Sequence, residues 1–464
     1  MTLTTLPGVS AWIAEHLPAL LEQYAVPGAA VGVLADGEVV DHAAGVLSTS
    51  TGVEATTDSV FQIGSVTKLW TSSLVMQLVD EGTVDLDATV RTYLPEFRIA
   101  DEDAASVITV RQLLTHTSGF EGDIFTDTGV GDDCVEKYLG VLHDVPQLFP
   151  PGSMWSYNNA GFSVLGRLVE VLRGKPYDVC VRTHLIDPLG ITHAAGSPYQ
   201  AILFRAAVGH LQPEPDAPAE PARVWALTRS NIPAGSMFAM SARSLLAFAR
   251  MHLDDGRAAD GTQVLAPGTA GRMQAAQVEL PDLGHFGDSW GLGFERFDTP
   301  GGLVVGHDGA TIGQYAYLRL VPDAGVAVAL LTNGGDAAAL HDHLVGHVLG
   351  ELTDVRLPTP PTPPAEPPRI DAAAYVGTYS CDLSDLVVTQ DDDGRIWLDE
   401  TPKGIAVEFG DTPSRSELVH YRDDTLIAVR PDRGMHRLRA FLGAETGRAA
   451  YLHTGRAVAR AADG

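Results

Sequence analysis

Lysine and arginine are missing from the first 67 residues, cysteine occurs only at Cys134, Cys180 and Cys381, and no long apolar run is present. Each absence excludes something. A secretory signal opens with a basic segment ahead of an apolar one, so this N-terminus shows no export signal of that kind and the expected location is the cytoplasm. An odd number of cysteines without CxxC or Cys/His ligand spacing indicates neither a disulfide framework nor a zinc site, and no metal or other cofactor is expected. Nothing approaches the roughly 20 apolar residues that span a bilayer, so no membrane partner is expected either. Positive charge is scarce throughout: 31 Lys+Arg stand against 59 Asp+Glu, a formal charge of -28. Such a surface repels nucleic acid and anionic lipid.

What is present is enough for a large core. The 464 residues are 45% hydrophobic and 19% charged, which fits two or more folded domains. Residues 9–24 set Trp12, Ile13, Leu17, Leu20 and Leu21 on one face, predicting an amphipathic helix kinked or restarted at Pro18. Apolar runs at 29–34 and 39–44 flank Ala35-Asp36-Gly37-Glu38, a hairpin turning at Asp-Gly. Runs at 314–321 and 326–332 flank Pro322-Asp323-Ala324-Gly325, a second hairpin expected to join the first in one antiparallel sheet. Helical periodicity over 110–114, 160–172 and 242–253 makes the middle mostly helical. The expected class is α+β, an α/β sandwich over residues 1–356 with an antiparallel sheet flanked by helices and an all-helical insert. Residues 357–369 contain LPTPPTPPAEPP, a semi-rigid spacer. Over 370–464, short runs at 375–379, 385–389, 395–399, 425–430 and 449–453 are separated by Asp/Gly turns, the pattern of a small all-β sandwich or barrel.

The chemistry starts at Ser65-Val66-Thr67-Lys68. Residues three apart share a helix face, so the amine can reach the hydroxyl if a helix begins at the serine. Gly64 before it and the periodic Leu69, Leu74 and Leu78 after it predict that helix start, where free N–H groups favour a developing oxyanion. Ser65 is then a candidate nucleophile with Lys68 as its base, provided that burial or a nearby positive charge keeps the amine neutral. Tyr157 and Asn159 stand two apart just before a second predicted helix, and His307 is followed two residues later by Gly309.

The three patterns SxxK, YxN and HxG occur in that order, accompanied by the phrases Leu113-Leu114-Thr115-His116-Thr117-Ser118-Gly119 and Asn159-Ala160-Gly161-Phe162. In these residues the chain resembles the serine β-lactamase and penicillin-binding-protein superfamily, particularly its class C β-lactamase-like branch, over about residues 20–345. The resemblance implies that Ser65 is acylated, that Lys68 or Tyr157 serves as base, and that Asn159 orients Lys68 and the substrate. It further implies that His307 replaces the lysine of related proteins and titrates near neutral pH. Gly309 then lets a strand approach the substrate, and the Ala310 N–H completes an oxyanion hole with that of Ser65. Phe238 and Trp290 are candidates for lining an acyl pocket or for plain aromatic packing. His116 reads as a buried structural histidine. Asp123, Asp127, Asp132 and Asp133 mark a loop that would form a substrate-facing lid, with spacing unlike that of a calcium loop.

The implied function is a serine hydrolase or acyltransferase that takes an ester, amide or thioester and passes the acyl group to water or an amine. Its partner would be a small-molecule or peptide acyl substrate, or a peptide carried on a carrier protein. The layout also resembles stand-alone penicillin-binding-protein-type thioesterases that release and macrocyclise nonribosomal peptides and carry a C-terminal lipocalin-like β-barrel. On that likeness Arg456 would hold a carboxylate or carbonyl, against the plainer reading of a solvated surface arginine. A β-lactamase, a D-amino-acid peptidase and a catalytically idle ligand-binding or sensor protein are the other readings.

Overall fold

The computed structural model describes residues 5–212, 218–408, 411–432, 435–443 and 447–461. Helix α1 (Leu6–Gln23) runs unbroken through Pro18, where a kink or restart was expected. Its Val9, Ile13, Leu17, Leu20 and Leu21 recur every three or four residues and are buried, and this apolar stripe holds the helix together across the missing Pro18 N–H. Strands β1 (Gly28–Ala35) and β2 (Glu38–Gly45) follow, paired with Ala35 opposite Glu38. Asp36 and Gly37 both take positive φ, the two-residue turn that an Asp-Gly pair favours.

A 3-10 turn at Gly64–Val66 leads into α2 (Thr67–Asp80), which is buried on nearly every side. Helix α3 (Asn159–Arg173) begins where the Asn158 side chain accepts from the Gly161 N–H at 2.7 Å, and it stops at Gly174 in the left-handed region. Helix α4 (Ala242–Leu253) precedes strands β3 (Glu295–Thr299), β4 (Gly302–Ala310), β5 (Tyr315–Val321) and β6 (Val326–Thr332), and α5 (Ala337–Leu352) closes the domain. The sheet order is β3-β4-β5-β6-β1-β2, antiparallel throughout. The two hairpins do share one sheet, with Val31 opposite Leu330.

Every residue of β1 and β6 is buried, because α1 and α5 cover one face and α4 with the inner helices covers the other. This explains their continuous apolar sequence. The molecule is thus α+β, with a second body made of eight strands in a closed barrel. These are β7 (Gly377–Ser380), β8 (Ser384–Gln390), β9 (Ile396–Pro402), β10 (Ser414–Arg422), β11 (Thr425–Ala428), β12 (Leu438–Leu442), β13 (Tyr451–His453) and β14 (Ala457–Arg460). Each pairs with the next, and β14 returns to β7. Tyr379, Leu386, Val388, Leu398, Phe441 and Leu452 fill its interior. Among the described residues no helix is long and apolar enough to cross a membrane, and the three cysteines are unpaired.

The barrel meets the first domain through the β13–β14 turn. Gly455 O accepts from the Tyr157 N–H at 3.0 Å, the Ala457 N–H donates to Ser156 Oγ at 3.0 Å, and His453 Nε2 donates to Trp155 O at 2.8 Å. The turn is therefore fastened to the segment that carries Tyr157.

Candidate active site

The turn at Gly64 and strand β4 touch backbone to backbone. A Cβ on Gly309 would lie 2.0 Å from Ile63 O, and one on Gly64 would lie 2.5 Å from Ala310 N. Only glycine permits this approach, and Gly64 also needs its positive φ of 50°. Ser65, Gly309 and Ala310 consequently line one cavity of about 910 Å³ together with Tyr157, Asn159 and His307.

Lys68 is fully buried with three partners: Asn159 Oδ1 at 2.7 Å, Ala234 O at 2.7 Å and Ser65 Oγ at 2.9 Å. The Asn159 oxygen is assigned by its other half, because Asn159 Nδ2 donates to Asp123 Oδ1 at 2.6 Å. Two of the three Lys68 partners are then pure acceptors, and they take two N–H bonds. An ammonium would place its third N–H on Ser65 Oγ, whereas a neutral amine has two N–H groups and turns its one lone pair to the Ser65 O–H. The electrostatics favour the neutral amine. Burial pushes the Lys68 amine well below its ordinary range, the Arg456 charge pushes it further, and Asp123 and Glu295 oppose both.

Tyr157 is buried, and burial raises its phenol far above the usual range against the opposing hydrogen bond with Ser65. It is held by His116, whose ring lies 4.4 Å from the phenol ring. His116 Nδ1 accepts from the Asn158 N–H at 2.9 Å, and His116 O accepts from the Ser156 N–H at 2.9 Å. His116 is structural, and what it shapes is the Tyr157 segment itself.

Arg456 reaches in from the barrel. Its Nε donates to Asp123 Oδ2 at 2.5 Å, and its guanidinium lies 4.9 Å from the Tyr157 ring centre. The side chain is 35% exposed and lines the cavity, with its Nε committed to Asp123. A continuous path thus runs Ser65, Lys68, Asn159, Asp123, Arg456 and back over Tyr157. Asp123 is buried inside this path and is not part of an exposed lid. Asp132 and Asp133 pair with Arg229 and Lys137, and Asp127 Oδ1 accepts from the Gly129 N–H.

His307 is corrected more sharply. Burial, with Lys68 adding to it, pushes the imidazole down to about 3, so it does not titrate near neutral pH. Its Nδ1 lies 2.5 Å from Asp308 O and 3.6 Å from Glu295 Oε1, while Nε2 has no partner among the described residues. Behind it, Arg319 meets Asp308 Oδ1 at 2.6 Å and Glu295 Oε2 at 3.8 Å. Glu295 is fully buried and pushed up to about 8, first by desolvation and then by Asp308. Trp290 and Phe238 do not line the cavity: Trp290 packs against His116 and His307, and Phe238 is a core residue whose carbonyl accepts from the Ile63 N–H. Phe125, Leu227, Phe286 and Ile312 line it instead, as do Leu357–Pro361 at the start of the proline run.

The family model described as Beta-lactamase matches residues 13–349. Penicillin-binding protein 4 of Amycolatopsis lactamdurans is 46% identical over 367 residues, covering 79% of this chain and 96% of its own. Esterase EstB of Burkholderia gladioli is 31% identical over 225 residues, 44% of this chain and 57% of its own. Among solved structures, SurE superposes with a TM-score of 0.77 at 32% identity, covering 98% of both chains. SurE with D-Leu superposes with a TM-score of 0.74 at 28% identity, covering 98% of this chain and 100% of the other.

Proposed function

The chain belongs to the Beta-lactamase family, a serine hydrolase superfamily, and on that premise we propose that it forms an acyl-enzyme at Ser65 from an ester, amide or thioester and releases it to water or an amine. The observation that carries this reading is the Lys68 amine, buried, with two N–H bonds spent on fixed acceptors and its remaining valence on Ser65 Oγ. Ser65 O–H gives its proton to Lys68 Nζ as Oγ attacks the acyl carbon. The negative charge on the carbonyl oxygen falls beside the backbone N–H groups of Ser65 and Ala310, donors of a kind whose loss typically costs about 3 kcal/mol of barrier. Lys68, now an ammonium, returns a proton to the leaving group through the phenol of Tyr157. The same groups run in reverse when water or an amine attacks the ester. What supports Lys68 over Tyr157 as the resting base is that burial disfavours the phenolate.

A D-configured residue in the substrate is supported by the full-length similarity to a protein solved with D-Leu. Release of a long peptide from a carrier, with or without ring closure, is a second reading. It is favoured by a cavity that continues from Ser65 past Phe286 to Tyr421 and His436 of the barrel, more room than a small ester needs. A neutral His307 counts against recognition of a β-lactam carboxylate.

The test is labelling with a fluorophosphonate, followed by turnover of aryl esters, D- and L-amino-acid amides and peptidyl thioesters. Labelling and turnover that vanish in Ser65→Ala are expected. A wild-type protein that neither labels nor turns over any acyl donor would be a binding protein instead. Linear acid alone from every peptidyl thioester would remove ring closure.

A further inference from the structure

Two buried histidine nitrogens on one ring face opposite worlds. His307 Nδ1 is 2.5 Å from Asp308 O and 3.6 Å from Glu295 Oε1. A backbone carbonyl accepts and never donates, so the ring proton sits on Nδ1. Nε2 is then a bare lone pair, and a neutral imidazole offers only one donor and one acceptor. That lone pair is buried without a partner among the described residues, on a ring 1% exposed that lines the cavity between Tyr157 and Trp290.

Resting on the acyl-enzyme reading, we infer that His307 Nε2 is a built hydrogen-bond acceptor, and that the substrate group which meets it is an N–H or O–H donor and not a carboxylate. The groups around it keep it in that role. Burial and the Arg319 guanidinium resist a positive charge on the ring, and the acidic groups that would favour one, Glu295 and Asp308, are engaged by Arg319. An anionic group placed at Nε2 would meet a lone pair. A peptide N–H or an amine placed there satisfies the orphaned acceptor, and a buried acceptor left empty rejects ligands that lack the donor.

The experiment scans a peptidyl or aminoacyl substrate by replacing each peptide N–H in turn with an ester oxygen, in wild type and in His307→Phe. One position is expected to lose about 10- to 100-fold in kcat/KM in wild type, with that penalty largely gone in the variant. A substrate bearing a carboxylate at that position should be worse than the N–H parent in wild type. Equal penalties in both proteins at every position would overturn the inference, as would a wild-type preference for the carboxylate that disappears in His307→Phe. A measurement on the wild type alone covers a variant that does not fold: the ¹⁵N spectrum of labelled histidine should show a non-protonated Nε2 on His307 at neutral pH, and a protonated Nε2 contradicts the inference. Ser65 labelling in wild type separates the two failures. Labelling without N–H discrimination sinks this inference only, whereas no labelling sinks the acyl-enzyme reading beneath it.

Discussion

The Lys68 and His307 corners of the cavity are both built on a buried base, yet they are finished differently. At Lys68 every bond is made: two acceptors, one hydroxyl and no valence left over. At His307 the back of the ring is tied to Asp308 and Glu295 while Nε2 is buried without a partner among the described residues. A fully satisfied buried amine is fixed in place and poised for one proton transfer, whereas an orphaned acceptor stores a cost that only a ligand relieves. The difference assigns chemistry to the first corner and selection to the second.

The largest effect should come from the chemical corner. Lys68→Met should lower kcat about 10²- to 10⁴-fold in an acyl-transfer assay, and Lys68→Arg should be no better because a guanidinium stays charged. The buried methionine removes a desolvated amine, so thermal unfolding should be affected far less than activity. Activity retained within about tenfold in Lys68→Met would erase the contrast between the corners.

Next come the two residues that bias Lys68 through Asn159. Arg456 lowers the affinity of the amine for its proton and Asp123 raises it. The neutral amine is the active form, so activity lies above its pKa. Arg456→Gln should move the acid limb of kcat/KM to higher pH, and Asp123→Asn should move it to lower pH. Asp123→Asn should also cost about tenfold at the optimum by releasing the Asn159 amide. Limbs that move together would show that the barrel arginine acts by packing alone.

The smallest effect is on stability against pH. A buried base with a lowered pKa stays unprotonated in the fold while the unfolded chain takes up the proton, so unfolding free energy rises with pH between the two values. For His307 that window is from about 3 to the ordinary 6.5, and for Lys68 it ends at 10.5. His307→Gln should therefore flatten the acid side of a denaturant-monitored stability curve by up to about 1.4 kcal/mol per pH unit, and Lys68→Met should flatten the alkaline side. An unchanged acid slope in His307→Gln would mean that the ring is protonated in the fold.

Local chemistry made part of this legible in advance. The Asp36-Gly37 turn, the helix at 242–253 and the antiparallel union of the two hairpins follow from turn residues and periodicity. Strand β10 did not show itself, because Leu418 is its only fully buried residue and Ser414, Arg415, Ser416, Glu417 and His420 make the rest of it largely charged or polar. In the site, the Ser65–Lys68 spacing points to its own contact. The Asp123–Arg456 contact joins residues 333 apart, which no local pattern carries. Arg319 did leave a signal, as a charge in otherwise apolar strand sequence, but without the third dimension it pointed to nothing, and Glu295 is masked by Arg296 and Asp298 in its own strand. Trp290 and Phe238 mislead for a simpler reason, since an aromatic ring near a glycine turn packs inward as readily as it faces a ligand.

The most direct test of the account is the rate at which a fluorophosphonate modifies Ser65 as a function of pH, in wild type. A neutral resting Lys68 predicts a rate whose acid limb lies well below the ordinary lysine value of 10.5 and which has levelled off before that value is reached. A rate that keeps climbing about tenfold per pH unit up to the ordinary lysine value would mean that Lys68 rests as an ammonium, and would contradict it.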